Sequence, residues 1–245
     1  MRYLIGIDDT DNLESRGTGY RARMMAAMLL EKKAADILSI FRHQLLFDSR
    51  IPYTSHNSSA SFVVDTDNHE NMKNLCSDFL LRDCAPGSDA GLCIATYDSV
   101  DKDLIKYGLS AKKEILNQEI AKKISSEKNI YLVGLTGTRD GIIGSLAAVG
   151  LRKYGNDGRG IWIKGKELRD FNGIVSTEEL FGLIEIDEIT DMHEKHVAKH
   201  SRIFIDNWIR PVIKNNKIRI IVQQEITDNY EFRIAPKDYI KSISD

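Results

Sequence analysis

Three aspartates crowd the end of the first apolar run of the chain, in the stretch GIDDTDNLESRGTGY at residues 6–20. Asp8, Asp9 and Asp11 would repel one another, and a divalent cation is the simplest partner that keeps all three ionised. Mg²⁺ fits best, because it prefers hard oxygen ligands, keeps several waters and shares phosphate oxygens. The alternative is that Asp8 and Asp11 bind backbone amides in turns, as loop aspartates often do.

A glycine-rich loop far along the chain is the second candidate, in GLTGTRDGIIGS at residues 134–145. It stands between a predicted strand and an Ala-rich predicted helix, where backbone N–H groups and the helix N-terminus could hold an anion. Its spacing fits neither a Walker A loop nor GxGxxG, and close helix-to-strand packing explains such glycines nearly as well. With the aspartates it would supply the phosphate side of an ATP site. The predicted phosphate-binding residues are Gly137, Thr138, Arg139, Gly141 and Gly144.

Three histidines near residue 196 could share one face of a helix. His193, His196 and His200 lie three and four residues apart, with Asp191 nearby. However, the sequence HEKH misses the HExxH metalloprotease spacing by one residue, so a solvated helix face is the favoured interpretation.

A basic stretch runs from Lys195 to Arg219, with seven Lys or Arg, one acidic residue and Trp208 near its middle. A basic surface with an aromatic residue could bind single-stranded nucleic acid. Half-buried strands with basic outer faces give the same pattern, and this second interpretation is favoured.

The elements that must position these residues alternate between strand and helix. The predicted strands are 2–7, 37–47, 58–65, 92–97 and 130–135, and the predicted helices are 20–34, 69–82, 101–125 and 142–154. This is the order of a small α/β or ferredoxin-like unit. Ser176 and Glu179 predict a capping box, and beyond residue 201 the pattern becomes β, with a hairpin predicted at Asn215-Asn216.

Composition is that of an ordinary globular protein of 245 residues, with 42% apolar and 29% charged residues. The net charge of −2 creates no global field for nucleic acid or anionic membranes. The N-terminus shows no signal-peptide pattern, and no apolar stretch approaches the roughly 20 residues of a membrane-spanning helix. Three cysteines without a CxxC pair add to the expectation of a cytoplasmic protein without a membrane partner.

Several of these motifs together resemble the TiaS family, the archaeal agmatinylcytidine synthetases that modify an isoleucine tRNA. The similar blocks occur in the same order and at similar spacing over roughly residues 1–165. They are IGIDDTD at 5–11, Gly-Thr at 17–18, IPY at 51–53 with the following NSSASF, GSDAG at 87–91 and GIIGSLAAVG at 141–150.

The resemblance implies an ATP-using, kinase-like α/β domain with an inserted ferredoxin-like domain, in a chain of mixed α/β and α+β class. We assign the kinase-like domain to residues 1–50 and 130–200, the ferredoxin-like domain to 51–129 and a β-rich extension to 201–245. The resemblance also implies that Asp8, Asp9 and Asp11 bind Mg²⁺ and ATP phosphates, that Thr18 lies at the phosphoryl-transfer centre, and that Gly141 to Gly144 touch the nucleotide. The family phosphorylates the carbonyl oxygen of a cytidine base and displaces it with agmatine.

The chain also departs from the family pattern. It has no cysteine quartet for the family's zinc ribbon, and after residue 165 it is too short to hold both the OB-fold and the ribbon that bind tRNA. Where the family has a basic Lys-Thr-Arg-Gly segment after IPY, this chain has Thr54-Ser55-His56-Asn57. Glycines flank Thr18, in place of the family's usual cysteine and second threonine. The expectation is therefore a short form of the family.

We predict an ATP- and Mg²⁺-dependent, ligase- or kinase-like enzyme that phosphorylates a tRNA cytidine or a smaller nucleotide-like metabolite before an amine such as agmatine attacks. Thr18 would accept phosphate transiently or orient a group, unless it only caps a helix. His56, Asn57 and Asp89 would bind substrate, with Asp89 pairing an amine unless it merely shapes a turn. The alternative function is a non-catalytic nucleotide- or RNA-binding protein that retains the fold.

Overall fold

The computed structural model describes residues 1–54 and 56–245, and Ser55 lies outside the described residues. The chain divides into two compact units, Met1–Tyr154 and Gly155–Asp245. The separate ferredoxin-like domain at 51–129, the kinase-like domain at 1–50 and 130–200, and the extension at 201–245 stay predictions.

The first unit is built on five antiparallel strands in the spatial order β5-β4-β1-β3-β2. The strands are β1 (Arg2–Asp8), β2 (Asp36–Gln44), β3 (Ser58–Asp65), β4 (Gly91–Thr96) and β5 (Tyr131–Gly134). Asp8 lies opposite Gly91, and Gly91 lies opposite Gly134. This register brings the ends of β1 and β5 and the start of β4 to one edge of the sheet, so the acidic run and the glycine loop leave from the same edge.

Five helices accompany this sheet. They are α1 (Thr18–Glu31), α2 (His69–Asp83), α3 (Lys102–Ser110), α4 (Gln118–Glu127) and α5 (Gly141–Tyr154). The strands predicted for this unit and three of its four predicted helices are confirmed to within a few residues, because their apolar residues follow the periods of strand and helix closely.

The single helix predicted at 101–125 is wrong. The structure has two helices, α3 and α4, with a turn at residues 111–117 between them. The side chain of Asn117 accepts a hydrogen bond from the backbone N–H of Ile120 and caps α4. An asparagine that captures a backbone amide in this way starts a new helix instead of continuing the old one.

The core of the first unit forms between the sheet and the helices α3 and α5. Leu4, Cys93, Leu104, Leu146 and Val149 are fully buried in one cluster. The residues that alternate with them along the strands, such as Ile5, Phe62 and Ile94, are also buried. Because neighbouring strand residues face opposite sides, the sheet is covered on both faces.

Helix α5 lies unusually close to β1. A Cβ atom on Gly6 would lie 1.9 Å from the backbone oxygen of Ser145, so only glycine allows this approach. The close contact holds the start of α5 against the sheet edge that carries the acidic run.

The second unit is rich in β-structure. Its strands are β6 (Arg159–Ile163), β7 (Lys166–Glu167), β8 (Gly173–Ser176), β9 (Glu188–Asp191), β10 (Arg202–Ile205), β11 (Val212–Lys214), β12 (Lys217–Gln224) and β13 (Phe232–Ile234), and its helices are α6 (Thr177–Leu183) and α7 (Lys237–Ser244). The spatial order is β6-β11-β12-β13-β10-β8, with β7 paired to β6 and β9 paired to β12. An isoleucine-rich core that includes Ile189, Ile203 and Ile220 lies within this unit.

Two local predictions for this unit are confirmed. Ser176 and Glu179 form a reciprocal capping box at the start of α6. Asn215 and Asn216 have φ angles of 53° and 61° and join β11 to β12 as a hairpin. Asparagine tolerates this left-handed conformation better than most residues, which suits it to such turns.

The helix predicted to carry His193, His196 and His200 is wrong. His193 and His200 lie in turns after β9, and His196 forms an isolated antiparallel bridge with Thr190. The Asp191 carboxylate accepts hydrogen bonds from the backbone N–H groups of His193 and Lys195, at 2.8 and 2.9 Å. An aspartate that binds nearby amides competes with helix formation.

Candidate functional site

The acidic run begins where β1 ends. Asp8 is the last residue of β1, and Asp9 has a φ angle of 51°, which turns the chain sharply away from the sheet. Aspartate reaches this left-handed conformation more readily than most residues. The turn places two successive carboxylates at the sheet edge instead of on opposite faces of a continuing strand.

The glycine loop meets the acidic run at this edge. The backbone N–H of Gly141 donates to the carbonyl oxygen of Asp89 at 2.9 Å, which fixes the start of α5 beside β4. A Cβ atom on Gly144 would lie 1.7 Å from Oδ2 of Asp8. The Asp8 carboxylate therefore lies directly on the first turn of α5, where the partial positive charge of a helix favours an anion.

Burial and like charge perturb both carboxylates of the Asp8–Asp9 pair. Burial raises the pKa of Asp8 well above its usual value, and the charges of Asp9 and Asp11 raise it further. The pKa of Asp9 is raised to about 6. Burial is the largest cause, and the negative charges of Asp89 and Asp11 also raise it. Backbone hydrogen bonds from Asp9 and Asp89 lower the pKa values of Asp8 and Asp9 in part, but among residues 1–54 and 56–245 no Lys or Arg side chain shifts the pKa of either carboxyl. The pair thus lacks the positive partner that buried carboxylates normally have.

This pair fits a hard divalent cation that completes its shell from outside the protein. Among residues 1–54 and 56–245, no group of three or more His, Cys, Asp or Glu side chains is arranged to hold a metal ion by itself. Mg²⁺ commonly binds through one or two carboxylates together with water and substrate phosphates. Two uncompensated carboxylates beside a helix N-terminus match that donor set.

Asp11 has a different environment from Asp8 and Asp9. Its Oδ1 accepts hydrogen bonds from the hydroxyl and the backbone N–H of Thr18, at 2.8 and 3.0 Å. Its Oδ2 accepts a hydrogen bond from the Thr54 hydroxyl at 2.8 Å. One carboxylate therefore joins the start of α1 to the segment between β2 and β3.

Thr18 is held by this network and not by a capping interaction of its own. The residue is 5% exposed, and Gly17 occupies the N-cap position of α1 without a side-chain hydrogen bond. The Thr18 hydroxyl donates to Asp11 and accepts from the hydroxyl of Thr10 at 3.2 Å. The capping interpretation of Thr18 is therefore wrong.

Asp89 shapes the glycine loop. Its carboxylate accepts a hydrogen bond from the backbone N–H of Thr138. Gly137 has a φ angle of 51° and lies against the same carboxylate. Arg139 also has a positive φ angle, of 70°, and the base of its side chain packs on Gly134. These contacts fix the backbone of the loop between β5 and α5.

A cavity of about 290 Å³ opens beside the acidic run. It brings together seven of the residues predicted from the sequence: Asp8, Asp9, Asp11, Thr18, His56, Asn57 and Gly144. Gly137, Thr138, Arg139, Gly141 and Asp89 do not line the cavity and form the loop contacts next to it. Asn57 also supports the wall, because its amide donates to the backbone oxygen of Leu46 at 2.8 Å.

Sequence reasoning missed two parts of the cavity wall. The turn between α3 and α4 supplies Glu114 and Asn117, and the start of α4 supplies Gln118, all of which the predicted continuous helix concealed. The segment between β2 and β3 supplies Tyr53 and Thr54. IPY belongs to the blocks that resemble the TiaS family, but no site residue is predicted within it, although an aromatic residue beside a proline in a turn is a usable signal for a binding surface.

The basic stretch at Lys195–Arg219 is largely neutralised within the second unit. Arg219 and Lys217 both bind Glu188, and Lys214 binds Glu194. These pairs lie on strands of the sheet, which agrees with the favoured interpretation of half-buried strands with basic outer faces.

Comparisons with known proteins indicate the fold. No protein-family model matches the chain, and no curated protein matches it. The chain is similar in structure to a complex of TiaS with an isoleucine tRNA, AMPCPP and agmatine, with a TM-score of 0.54 and 18% identity over 99% of this chain and 55% of that chain. A complex of TiaS with the same tRNA and ATP, and a tRNA fluorescent labeling enzyme, each have a TM-score of 0.54 and 24% identity, over 61% of this chain and 36% of theirs.

These similarities show that the chain has a TiaS-like fold. The chain spans between about a third and about half of the length of the solved structures that it matches. None of the described helices is long and apolar enough to cross a lipid bilayer.

Proposed function

We propose that this chain is an ATP- and Mg²⁺-dependent enzyme that phosphorylates an acceptor and so activates it for attack by an amine. The observation that carries the proposal is the contact between Asp8 and Gly144, which places the buried Asp8 carboxylate on the first turn of a 14-residue helix, with Asp9 as the next residue along the chain. The TiaS-like fold supports it, since solved structures with that fold contain ATP or AMPCPP.

Asp8 and Asp9 would be the main carboxylate ligands of Mg²⁺, with Asp11 nearby as the third. When bound, Mg²⁺ would supply positive charge that offsets the negative charge developing on the phosphate groups during transfer. The backbone N–H groups of residues 137–144 and the Arg139 side chain would bind the phosphate chain from the other side. The packing of Asp8 on Gly144 holds the acidic run and the glycine loop next to each other.

Thr18 would act at the transfer centre through its hydroxyl. Asp11 accepts the hydroxyl proton in a 2.8 Å hydrogen bond, and the Thr18 oxygen accepts longer hydrogen bonds from the hydroxyl and the backbone N–H of Thr10, at 3.2 and 3.4 Å, which an acceptor or a phosphoryl group would replace. The oxygen could then orient the acceptor or receive a phosphoryl group for a short time. In either role, the Asp11 carboxylate would accept the hydrogen bond from the Thr18 hydroxyl.

The acceptor would be a tRNA cytidine or a smaller nucleotide-like metabolite, and the amine would resemble agmatine. His56 lines the cavity, where it would contact the acceptor. Asp89 would pair with the amine through the part of its carboxylate that the Thr138 amide leaves available. A solved TiaS complex contains agmatine and tRNA, and we propose molecules of these two kinds as partners of this chain.

One observation favours a second candidate, a non-catalytic nucleotide- or RNA-binding protein with the same fold. Asp11 and Asp89 both form hydrogen bonds within the protein, and no group of three metal-binding side chains is preassembled in the described part of the chain. Nucleotide binding alone would require fewer of the three carboxylates of the acidic run than catalysis would.

ATP consumption separates the two functions. We expect Mg²⁺-dependent turnover that increases when bulk tRNA and an amine such as agmatine are added. Asp8→Asn should abolish this turnover, whereas Asp67→Asn should not, because the Asp67 side chain is fully exposed and pairs with the N-terminal amine at 3.7 Å. Binding of ATP without turnover under all these conditions would support the non-catalytic function.

A further inference from the structure

The segment between β2 and β3 is fixed at several points, although its described residues, 45–54 and 56–57, form no helix or strand. The backbone N–H of Leu45 donates to the oxygen of Asn57 at 2.8 Å, and that of Leu46 donates to the oxygen of Ala111 at 3.1 Å. At its far end the Thr54 hydroxyl donates to Asp11. These hydrogen bonds therefore fix the segment as one surface of the cavity. We call its described residues, 45–54 and 56–57, the aromatic wall.

Two large aromatic side chains of this wall remain accessible. Phe47 is 54% exposed and Tyr53 is 37% exposed. Their rings meet edge to face, with centroids 5.6 Å apart and an interplanar angle of 76°. Tyr53 lines the cavity, and Phe47 contacts both the Tyr53 and the His56 rings. An edge-to-face contact fixes the orientation of a ring without burying it, which suits a ring that must stack on a ligand.

The position of Tyr53 points to the acceptor and not to ATP as its ligand. Tyr53 directly precedes Thr54, whose hydroxyl binds the Asp11 carboxylate, and Asp11 in turn binds Thr18. Tyr53 and Thr18 also line the same cavity, so the ring borders the space next to the proposed transfer centre. The phosphate side of the site lies instead on the loop between β5 and α5, which is held by Asp89 and by Gln118.

The chemistry of the cavity suits a planar, polar ring. Aromatic side chains bind bases by stacking, and the polar edges of the base then need hydrogen-bonding partners. Glu114 is exposed and lines the same cavity. A glutamate can accept a hydrogen bond from an exocyclic amino group such as N4 of cytosine.

We propose that Tyr53, oriented by Phe47, stacks on the nucleobase of the acceptor, and that Glu114 accepts a hydrogen bond from its exocyclic amino group. This inference rests on the proposed function. It makes Tyr53 and Glu114 specificity-determining residues, which select a base with an amino group over one with only carbonyl groups.

Calorimetric titration of the full chain tests the assignment, with Mg²⁺ and AMPCPP bound first and cytidine as the probe. Tyr53→Leu should weaken cytidine binding roughly tenfold, as expected for the loss of one stacked base. Tyr53→Phe should retain the affinity, and Phe181→Leu, an exposed aromatic in the second unit, is the matched control. Glu114→Gln should reduce the preference for cytidine over uridine.

The affinity for AMPCPP distinguishes the ways in which the idea can fail. Unchanged cytidine binding in Tyr53→Leu, or no cytidine binding by the unmodified chain, would overturn the stacking role. A weaker AMPCPP affinity in Tyr53→Leu with unchanged cytidine binding would assign the ring to adenine and equally overturn it. If the unmodified chain does not bind AMPCPP with Mg²⁺ at all, the proposed function itself fails.

Discussion

The carboxylate of Asp8 lies directly on the Cα atom of Gly144, although the two residues are 136 positions apart in the sequence. This contact joins the end of β1 to the first turn of α5. It also leaves no room for a side chain at position 144, because a Cβ atom there would lie 1.7 Å from Oδ2 of Asp8.

Gly144→Ala should therefore displace Asp8 and abolish Mg²⁺-dependent ATP turnover. We expect a loss of stability of roughly 1–3 kcal/mol as well, which is typical of overpacking at a tight contact. Activity assays and urea denaturation measure the two effects. Gly182→Ala is the control, since a Cβ atom at that helical position meets no atom within 4 Å. Full activity in Gly144→Ala would show that the position of Asp8 is unimportant.

The contribution of Asp9 to the stability of the metal-free protein should fall as the pH rises from about 4 through about 6. Asp9 has a pKa of about 6 in the folded protein, above its ordinary 3.8, so its carboxyl is neutral in both states at low pH and must ionise unfavourably in the folded state at higher pH. Asp9→Asn removes this cost. In EDTA at pH 7.5 we expect the variant to melt roughly 3 °C above the unmodified chain, with little difference at pH 4.

Added Mg²⁺ provides the check on this prediction. It should raise the melting temperature of the unmodified chain at pH 7.5 and have less effect on Asp9→Asn. Asp67→Asn, at an exposed position, should behave like the unmodified chain, with the same melting temperature in EDTA and the same increase on addition of Mg²⁺. A variant that melts below the unmodified chain at pH 7.5 would show that Asp9 is compensated in the folded protein.

Much of the fold was predictable from the sequence because its signals are local. The apolar runs of β1 and β3, the capping box at Ser176 and the Asn215-Asn216 hairpin each depend on a few neighbouring residues. The two helix predictions that are wrong also have a local cause. Asn117 and Asp191 bind backbone amides that a continuous helix would use, and apolar periodicity carries no information about that competition.

The site was only partly predictable because its parts depend on strand order. The acidic run and the glycine loop meet through the pairing of Asp8 with Gly91 and of Gly91 with Gly134, which no local pattern specifies. The same limit explains why Tyr53 and Glu114 were missed. Tyr53 lies in the aromatic wall, and Glu114 lies in the turn that interrupts the helix predicted at 101–125.

The second unit should depend on Glu188 for stability. Glu188 and Arg219 are about 9% and 10% exposed, and the Arg219 guanidinium donates to Oε2 of Glu188 from two nitrogens, at 2.8 and 3.0 Å. Glu188→Gln should cost about 2 kcal/mol in urea denaturation, as expected for a charge-assisted hydrogen bond. Lys214→Gln breaks the exposed pair with Glu194 and should leave stability unchanged. Equal effects of the two variants would contradict this assignment.

The Thr18 hydroxyl should be required for turnover but not for folding. Thr18→Val keeps the shape of the side chain and removes the donor to Asp11, so we expect ATP turnover to fall by at least tenfold and stability by about 1 kcal/mol. Thr18→Ser keeps the hydroxyl and should restore most of the turnover. Thr54→Val is the matched comparison, because it removes the hydrogen bond to the other oxygen of the same carboxylate. If Thr18→Val and Thr54→Val reduce turnover equally, Thr18 acts only by holding Asp11 in place, whereas a much larger loss in Thr18→Val assigns its oxygen to the transfer step.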